Sequence, residues 1–349
     1  MYWQTTFGQV EVQEQTYYQP KGGSILRPFL LSCGVLCRGY SLPFQRRIVD
    51  FGADVPFGQI SDKLKEHYGI EAAQSTLRLI TLRHADEFKQ KEDVDMRRDK
   101  NLPAKDCIIS ETDGCMVPIV KTQPKQPGNQ DRRKKKELLY KEARLTLSHE
   151  KGSVSPKFSA TMGSVEKMGQ HIRHCVELIG LGEDTKIHCV GDGASWIAGQ
   201  VEEQFGTQAT YLIDFYHLCE YLAAASKSLK QDDFWMERQK NLLKENKANQ
   251  VLKELSVFIE DESIPDSDAP VRVCSRYLSN RLQQLDYQSA LENDLPIGSG
   301  EIESAHRYII QERLKRSGAW WLDKHAEDMM ALRTQRANHQ WDTYWKLAA

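Results

Sequence analysis

Two aspartates stand in nearly the same company: Asp113 in "ETDGC" and Asp192 in "VGDGA", each beside an apolar, strand-like run and each followed by glycine. A third acid, Glu303, opens a helical stretch after the glycine-rich turn "PIGSG", with Glu301 two residues before it. Carboxylates from separate elements form a hard, all-oxygen ligand set, which suits Mg²⁺ and leaves places for water and a substrate phosphate. Two such ions, roughly 4 Å apart, activate an attacking oxygen and stabilise a leaving oxygen at a phosphodiester. Without a cation, like charges so close raise each other's pKa. Each acid also fits a plainer role. Asp113 and Asp192 suit turns that hydrogen-bond their own backbone, and Glu301 and Glu303 complement the positive end of a helix.

Only the fold can bring these acids together, so the elements that carry them decide between the two roles. A polar stretch, residues 91–104, reads as a linker, after which the pattern turns from helical to strand. "DCIISETDGCMVPIV", "KELLYKEARLTLSHE" and "KFSATMGS" read as three strands, the first two joined by the basic turn "NQDRRKKK". "VEKMGQHIRHCVELIGLG" is a helix ending in glycine, "TKIHCVGDG" a strand, "ASWIAGQVEEQFG" a helix and "ATYLIDFYH" a strand. Three strands, helix, strand, helix, strand is the order of an RNase H-like sheet, so residues 105–220 are expected to be the first part of an α/β (mixed α+β) core. Residues 221–294 read as an all-helical insertion, and 295–349 as the last helix of that core with a helical, Trp-containing tail.

Ahead of the linker, residues 41–90 give three short helical patterns, in "LPFQRRIVDFG", "PFGQISDKLKEHYGI" and "AAQSTLRLITLRHA". They match a helix-turn-helix trio as well as a plain helical packing unit. On the last helix Gln74, Ser75 and Arg78 lie near the amino end, where a recognition helix presents side chains to a major groove. Residues 1–40 carry a strand-like "GQVEVQEQ" and turn chemistry in "YYQPKGGS", with no function attached.

Composition narrows the class. A chain of 349 residues with 40% hydrophobic and 28% charged residues is an ordinary folded protein, long enough for more than one domain. No secretory signal opens it and no run of 18 apolar residues interrupts it, so a cytosolic protein without membrane contact is expected. Net charge is only −2, yet 121–150 holds nine Lys/Arg against four Asp/Glu, while 260–270 has five acids and no base. That asymmetry keeps an anionic polymer in view as a partner. Of the eight cysteines only Cys33 and Cys37 are close, and C-x3-C alone is half a zinc site.

Four blocks resemble the DDE transposases of bacterial insertion sequences, closest to the ISKra type related to Mutator-like transposases. They are "SETDGCMVPIV", "IHCVGDGASWIAGQV", "YLIDFYHLCEYL" and "LPIGSGEIESAHRYIIQERLKRSGAWW". The likeness begins near "LPFQRRIVDFGADVPF" and runs almost to the C-terminus. It implies an RNase H-like catalytic domain with a helical insertion before the final acid, and metal-dependent DNA cleavage and strand transfer. Carried over by motif, the catalytic and metal-binding triad is Asp113, Asp192 and Glu303, with Glu301 as the neighbouring alternative and Glu111 as an extra acid nearby. The cofactor implied is Mg²⁺, two ions, with Mn²⁺ able to substitute. Asp214 and His217 in "DFYH" resemble the D-x-x-H signature of Mutator-related enzymes and are expected beside the catalytic pocket.

Further side chains are candidates for DNA. Arg307 lies one helical turn after Glu303, within reach of a phosphate, with His306 similarly placed. Arg313, Lys315 and Arg316 precede Trp320 and Trp321; at least one Trp suits a core anchor, and the other suits stacking on an unpaired base. Arg132, Arg133 and Lys134 in the basic turn suit phosphate contact with steep salt dependence. The expected partners are double-stranded DNA, as terminal inverted repeats and as target, and further copies of the chain in a dimer or larger assembly. The expected place is the bacterial cytoplasm, at the nucleoid. Two rivals share most of these features: an RNase H-like structure-selective nuclease of the resolvase kind, and a transposase-derived DNA-binding protein without catalysis.

Overall fold

The computed structural model describes residues 2–18, 25–35, 39–97, 102–122 and 136–347. At the N-terminus β1 (Tyr2–Thr5) and β2 (Gly8–Glu11) form a small hairpin, followed by the short α1 (Pro28–Ser32). The three expected helices follow as α2 (Leu42–Asp54), α3 (Ile60–Tyr68) and α4 (Gln74–Asp95). Pro43 sits in the first turn of α2, where its missing N–H is harmless. Gly69 ends α3 at φ 66°, a left-handed C-cap that glycine adopts without a Cβ penalty. α4 corrects one expectation, because it runs on to Asp95 and so takes in the start of the polar linker. Phe88, Lys89 and Glu92 are buried there, and tertiary packing carries the helix past the point where its composition turns polar.

The sheet comes from β3 (Cys107–Thr122), β4 (Lys136–Glu150), β5 (Lys157–Thr161), β6 (Lys186–Gly191) and β7 (Ala209–Ile213), in the spatial order β5-β4-β3-β6-β7. β3 pairs antiparallel with β4, and β4 with β5, while β6 and β7 run parallel to β3 on its other side. Two parallel steps need crossovers, supplied by α5 (Val165–Glu177) and α6 (Ser195–Phe205). Ser164 caps α5 by accepting from the Lys167 amide. Both helices bury one sheet face through Ile108, Ile187 and Cys189 against Met168, Ile172, Ile197 and Val201.

After β7 the chain leaves the sheet for α7 (Phe215–Leu229), α8 (Asp233–Lys244), α9 (Ala248–Ser256), α10 (Pro270–Ser279) and α11 (Tyr287–Glu292). This helical unit has its own core around Leu222, Leu243, Val251, Leu278 and Tyr287. The chain returns through α12 (Gly300–Ala305), a π-helical segment His306–Gln311 and α13 (Glu312–Leu314), then α14 (Asp323–Ala337) and α15 (Trp341–Leu347). The second sheet face is covered by this C-terminal part together with α2, α3 and α4, in one continuous core that joins Ile48, Leu77 and Phe88 to Val117, Leu145, Ile302 and Met330. The N-terminal trio therefore shares its core with the sheet. Among the described residues no helix is long and apolar enough to cross a membrane.

Candidate active site

Side chains alternate along a strand, so Glu111 and Asp113 project from the same face of β3. The register shows where they stand. The parallel pairing of β3 with β6 ends at Thr112 opposite Gly191, and Asp113 and Asp192 each follow immediately beyond it. Asp113 thus lies within its strand, as the reading of "DCIISETDGCMVPIV" as one strand has it, and not in a turn. β3 continues for nine residues after Asp113 because β4 pairs with it throughout, and the "TDG" turn chemistry yields to that ladder. Asp192 does leave its strand: Oδ1 accepts from the Ala194 amide at 2.9 Å, and Gly193 adopts φ 84°.

Both aspartates are half-buried. Burial raises the Asp113 pKa to about 6; the Gly114 amide, 2.6 Å from Oδ1, opposes this, and the Asp192 charge adds to it. Asp113 Oδ2 lies 3.7 Å from His306 Nε2. His306 is 1% exposed at the start of the π-helical segment, and neither ring nitrogen has a hydrogen-bond partner among the described residues. Burial holds its pKa below the usual imidazole value, against the pull of the Asp113 backbone.

Neighbouring acids are occupied differently. Glu111 is 2% exposed and accepts from the Ile302 amide at 2.9 Å, tying β3 to the first turn of α12. Burial lifts its pKa to about 8, opposed by the Ile302 amide and assisted by the Glu301 and Asp214 charges. Asp214 uses both oxygens: Oδ1 accepts from the Tyr216 and His217 amides, and Oδ2 from the Ser299 amide at 2.6 Å and hydroxyl at 2.5 Å. It caps α7 and fastens that helix to the turn before α12. "DFYH" was expected inside a strand; the strand stops at Ile213, since the Asp214 carboxylate starts a helix instead. His217 sits in the first turn of α7, 3.5 Å from Glu220, and its charge bears on Asp113.

The structure brings Asp113 and Asp192 together, with His217 and His306 beside them. Glu303 is exposed on α12, and Glu301, also exposed, lies 3.6 Å from His149. Among the described residues no three Asp, Glu, His or Cys side chains are grouped closely enough to hold a metal ion. The aspartate pair itself suits a hard cation: Asp192 Oδ2 makes no hydrogen bond among the described residues, and the pair's mutual repulsion is what a cation relieves. Asp113 and Asp192 could thus offer two carboxylates to a cation, whereas Glu303 stands exposed on α12, the helix that Glu111 ties to β3.

Of the other expected contacts, Gln74, Ser75 and Arg78 are exposed at the start of α4, with the Arg78 guanidinium 3.4 Å from His325 and 5.9 Å from the Phe57 ring centre. Arg307, Lys315 and Arg316 are exposed, and Arg316 donates to the backbone of Glu312 and Asp54. Arg313 is a correction. At 2% exposure it donates to the Gly52 carbonyl and lies over the rings of Phe57 and Trp321, which makes it an interior clamp rather than a phosphate contact. Trp321 is buried beside Ile119, while Trp320 is 45% exposed. Arg132, Arg133, Lys134 and Cys37 lie outside the described residues.

Sequence reasoning passed over Tyr277, Arg281, Tyr211 and Ser299. Tyr277 donates to the Asp192 carbonyl at 2.8 Å, Arg281 Nε to the Gly193 carbonyl at 2.9 Å, and the Gly193 amide to Tyr211 Oη at 3.2 Å. Nothing local marks these residues, because their partners lie 85 and 88 residues away for Tyr277 and Arg281.

Residues 179–343 match the model of an uncharacterised protein family (UPF0236). That segment runs from before β6 through the helical unit to α15 and holds Asp192, Asp214 and Glu303, but not Asp113. No curated protein matches the chain.

Proposed function

We propose that this chain is a DNA transposase of the DDE type that cleaves DNA at the ends of a mobile element and joins the freed ends to target DNA. The observation that carries the reading is the placement of Asp113 on the central strand and Asp192 just past the neighbouring parallel strand. Crevices at the carboxyl ends of strands, where the sheet changes direction, are where such folds take ligands. The strand order, with two antiparallel neighbours on one side of β3 and two parallel ones on the other, supports an RNase H-like core.

In this reading Asp113, Asp192 and Glu303 hold Mg²⁺, or Mn²⁺ in its place. Such ions, when bound, polarise a phosphodiester and make water a stronger nucleophile. The chain's own residues do the rest. Asp113 and Asp192 fix one side of the pocket through backbone on two adjacent strands, and Glu111 holds the first turn of α12, the helix on which Glu303 faces solvent. Arg307, a turn further on, meets a phosphate, and exposed Trp320 offers a stacking surface. Gln74, Ser75 and Arg78 on α4, with Arg132, Arg133 and Lys134 from the basic sequence between β3 and β4, recognise the inverted repeats. Pairing two element ends calls for a dimer or larger assembly on DNA, working in the cytoplasm at the nucleoid.

One observation favours a second reading, DNA binding without cleavage: Glu303 is exposed and stands outside the aspartate pair. A plasmid carrying the gene's own flanking DNA separates the two. Nicks at the element ends that require Mg²⁺, stop with chelator and vanish in Asp192→Ala are expected of the transposase. Salt-sensitive binding of the same DNA by both proteins, with no end-specific nick, would leave only the second reading.

A further inference from the structure

The loop that carries Asp192 is held from two sides. Its own strand, β6, leads into it, and Gly193 turns it at φ 84°. The carbonyls that follow, those of Asp192 and Gly193, are not bound by the sheet; they accept from Tyr277 in the last turn of α10 and from Arg281 just beyond it, in the helical unit. These two donors are fixed in turn. Tyr277 is 8% exposed and stacks on Tyr221 of α7 with ring centres 4.1 Å apart, and the Arg281 guanidinium lies 4.2 Å from the centre of the Tyr277 ring. His217, whose charge bears on Asp113, stands edge-on to Tyr221 and Tyr277 with ring centres 5.5 and 6.3 Å away. A side chain at Gly193 would run into the Tyr277 hydroxyl, so loop and tyrosine fit one another closely.

We infer that Tyr277 and Arg281 are positioning residues for Asp192, so that the helical unit, besides being a spacer between β7 and α12, sets the geometry of the carboxylate pair. The inference rests on the reading of Asp113 and Asp192 as metal ligands. Ligand sites tolerate only about 0.5 Å of displacement, and the carbonyl of Asp192 is one bond from the Cα that aims its carboxylate. The two hydrogen bonds tie that carbonyl and the next to a rigid aromatic layer, which removes the freedom a glycine-flanked loop otherwise has.

Full-length protein titrated with Mn²⁺, followed by its electron paramagnetic resonance signal, tests this. Tyr277→Phe keeps the ring stack and removes only the hydroxyl; Arg281→Ala removes the second donor; Val251→Ala, inside the core of the helical unit, is the stability control. The expected result is Mn²⁺ affinity about tenfold weaker in Tyr277→Phe, as for other residues that orient ligands, with a Tm near wild type. Amide hydrogen exchange should quicken at Gly193 and Ala194. Arg281→Lys should recover part of what Arg281→Ala loses, and Val251→Ala should lower Tm without weakening Mn²⁺ binding. Wild-type affinity in both Tyr277→Phe and Arg281→Ala, or equal weakening in Val251→Ala, overturns the inference while leaving the metal site standing. A wild-type protein with no Mn²⁺ site sensitive to Asp192→Ala overturns the metal reading itself, and the inference with it.

Discussion

Asp214 and Glu111 on the one hand, and Asp113 and Asp192 on the other, lie within one neighbourhood of the sheet and do opposite things with their oxygens. Asp214, 3% exposed, accepts from two amides of α7 and from the Ser299 amide and hydroxyl before α12, and Glu111, 2% exposed, accepts from the Ile302 amide in α12. Asp113 and Asp192 are half-buried, each with one bond to a nearby amide; the other Asp113 oxygen faces His306 at 3.7 Å, and that of Asp192 makes no hydrogen bond among the described residues. A saturated buried carboxylate organises backbone, whereas an open one beside a like charge is poised for a cation or a proton. Asp214 spends both oxygens on backbone and hydroxyl donors, whereas Asp192 keeps Oδ2 free of hydrogen bonds among the described residues.

The sharpest way to break the contrast is to remove one acid from each pair. Asp192→Ala should lower metal-dependent cleavage by about three orders of magnitude or more, as loss of a core catalytic group does, with little change in Tm. Cleavage assays beside thermal melts check it, and a large Tm loss would make Asp192 structural. Asp214→Ala should do the reverse, destabilising the fold by about 4 kcal/mol through a lost helix cap and orphaned Ser299 groups. Urea melts measure that figure, and a stable, inactive Asp214→Ala would move this residue to the open pair.

A third case, buried and only partly filled, extends the comparison. Glu92 on α4 is 1% exposed; its Oε1 accepts from the Ser159 hydroxyl at 3.5 Å, its Oε2 has no hydrogen bond among the described residues, and Lys89 Nζ stays 3.7 Å away. Burial raises its pKa from the usual carboxylate value to about 7. A raised folded pKa means that the neutral form's stability is fully present below the unfolded value and is lost as pH rises through about 7. Glu92→Gln should therefore match wild type in acid and exceed it at alkaline pH by on the order of 3 kcal/mol. Equal melting curves at both ends of that range would show that Lys89 already neutralises the charge.

The adjacent tryptophans repeat the division at lower cost. Trp320→Ala should leave Tm unchanged and weaken binding to element-end DNA by about tenfold, within the range for one stacked base. Trp321→Ala, its ring buried between Arg313 and Phe57, serves as the structural counterpart and should lower Tm. Equal DNA affinity in wild type and Trp320→Ala would remove the stacking role.

Much of the fold was legible because its signals are local. Strand-like runs marked β3, β4 and β6, and helical patterns marked α2, α3 and α5, all through the interactions of a segment with its immediate neighbours. The same locality explains the misreadings. The composition of residues 89–95 is polar, and only packing against later elements keeps them helical; "TDG" is turn chemistry, and only the β4 ladder keeps Asp113 in a strand.

Within the site, sequence alone singled out residues that could do chemistry, Asp113, Asp192 and Glu303 as acids on separate elements, and one of two tryptophans as a core anchor. It did not determine which acids stay open. That was decided by contacts between residues far apart in the chain: Ser299 on one oxygen of Asp214, Ile302 on one oxygen of Glu111, and Tyr277 and Arg281 bracing the turn of Asp192. It also placed Arg313 inside, where a guanidinium finds a carbonyl and two rings instead of a phosphate. A side chain's type is written in the sequence, but whether its lone pairs and charges are already satisfied depends on which distant backbone the tertiary fold lays against it.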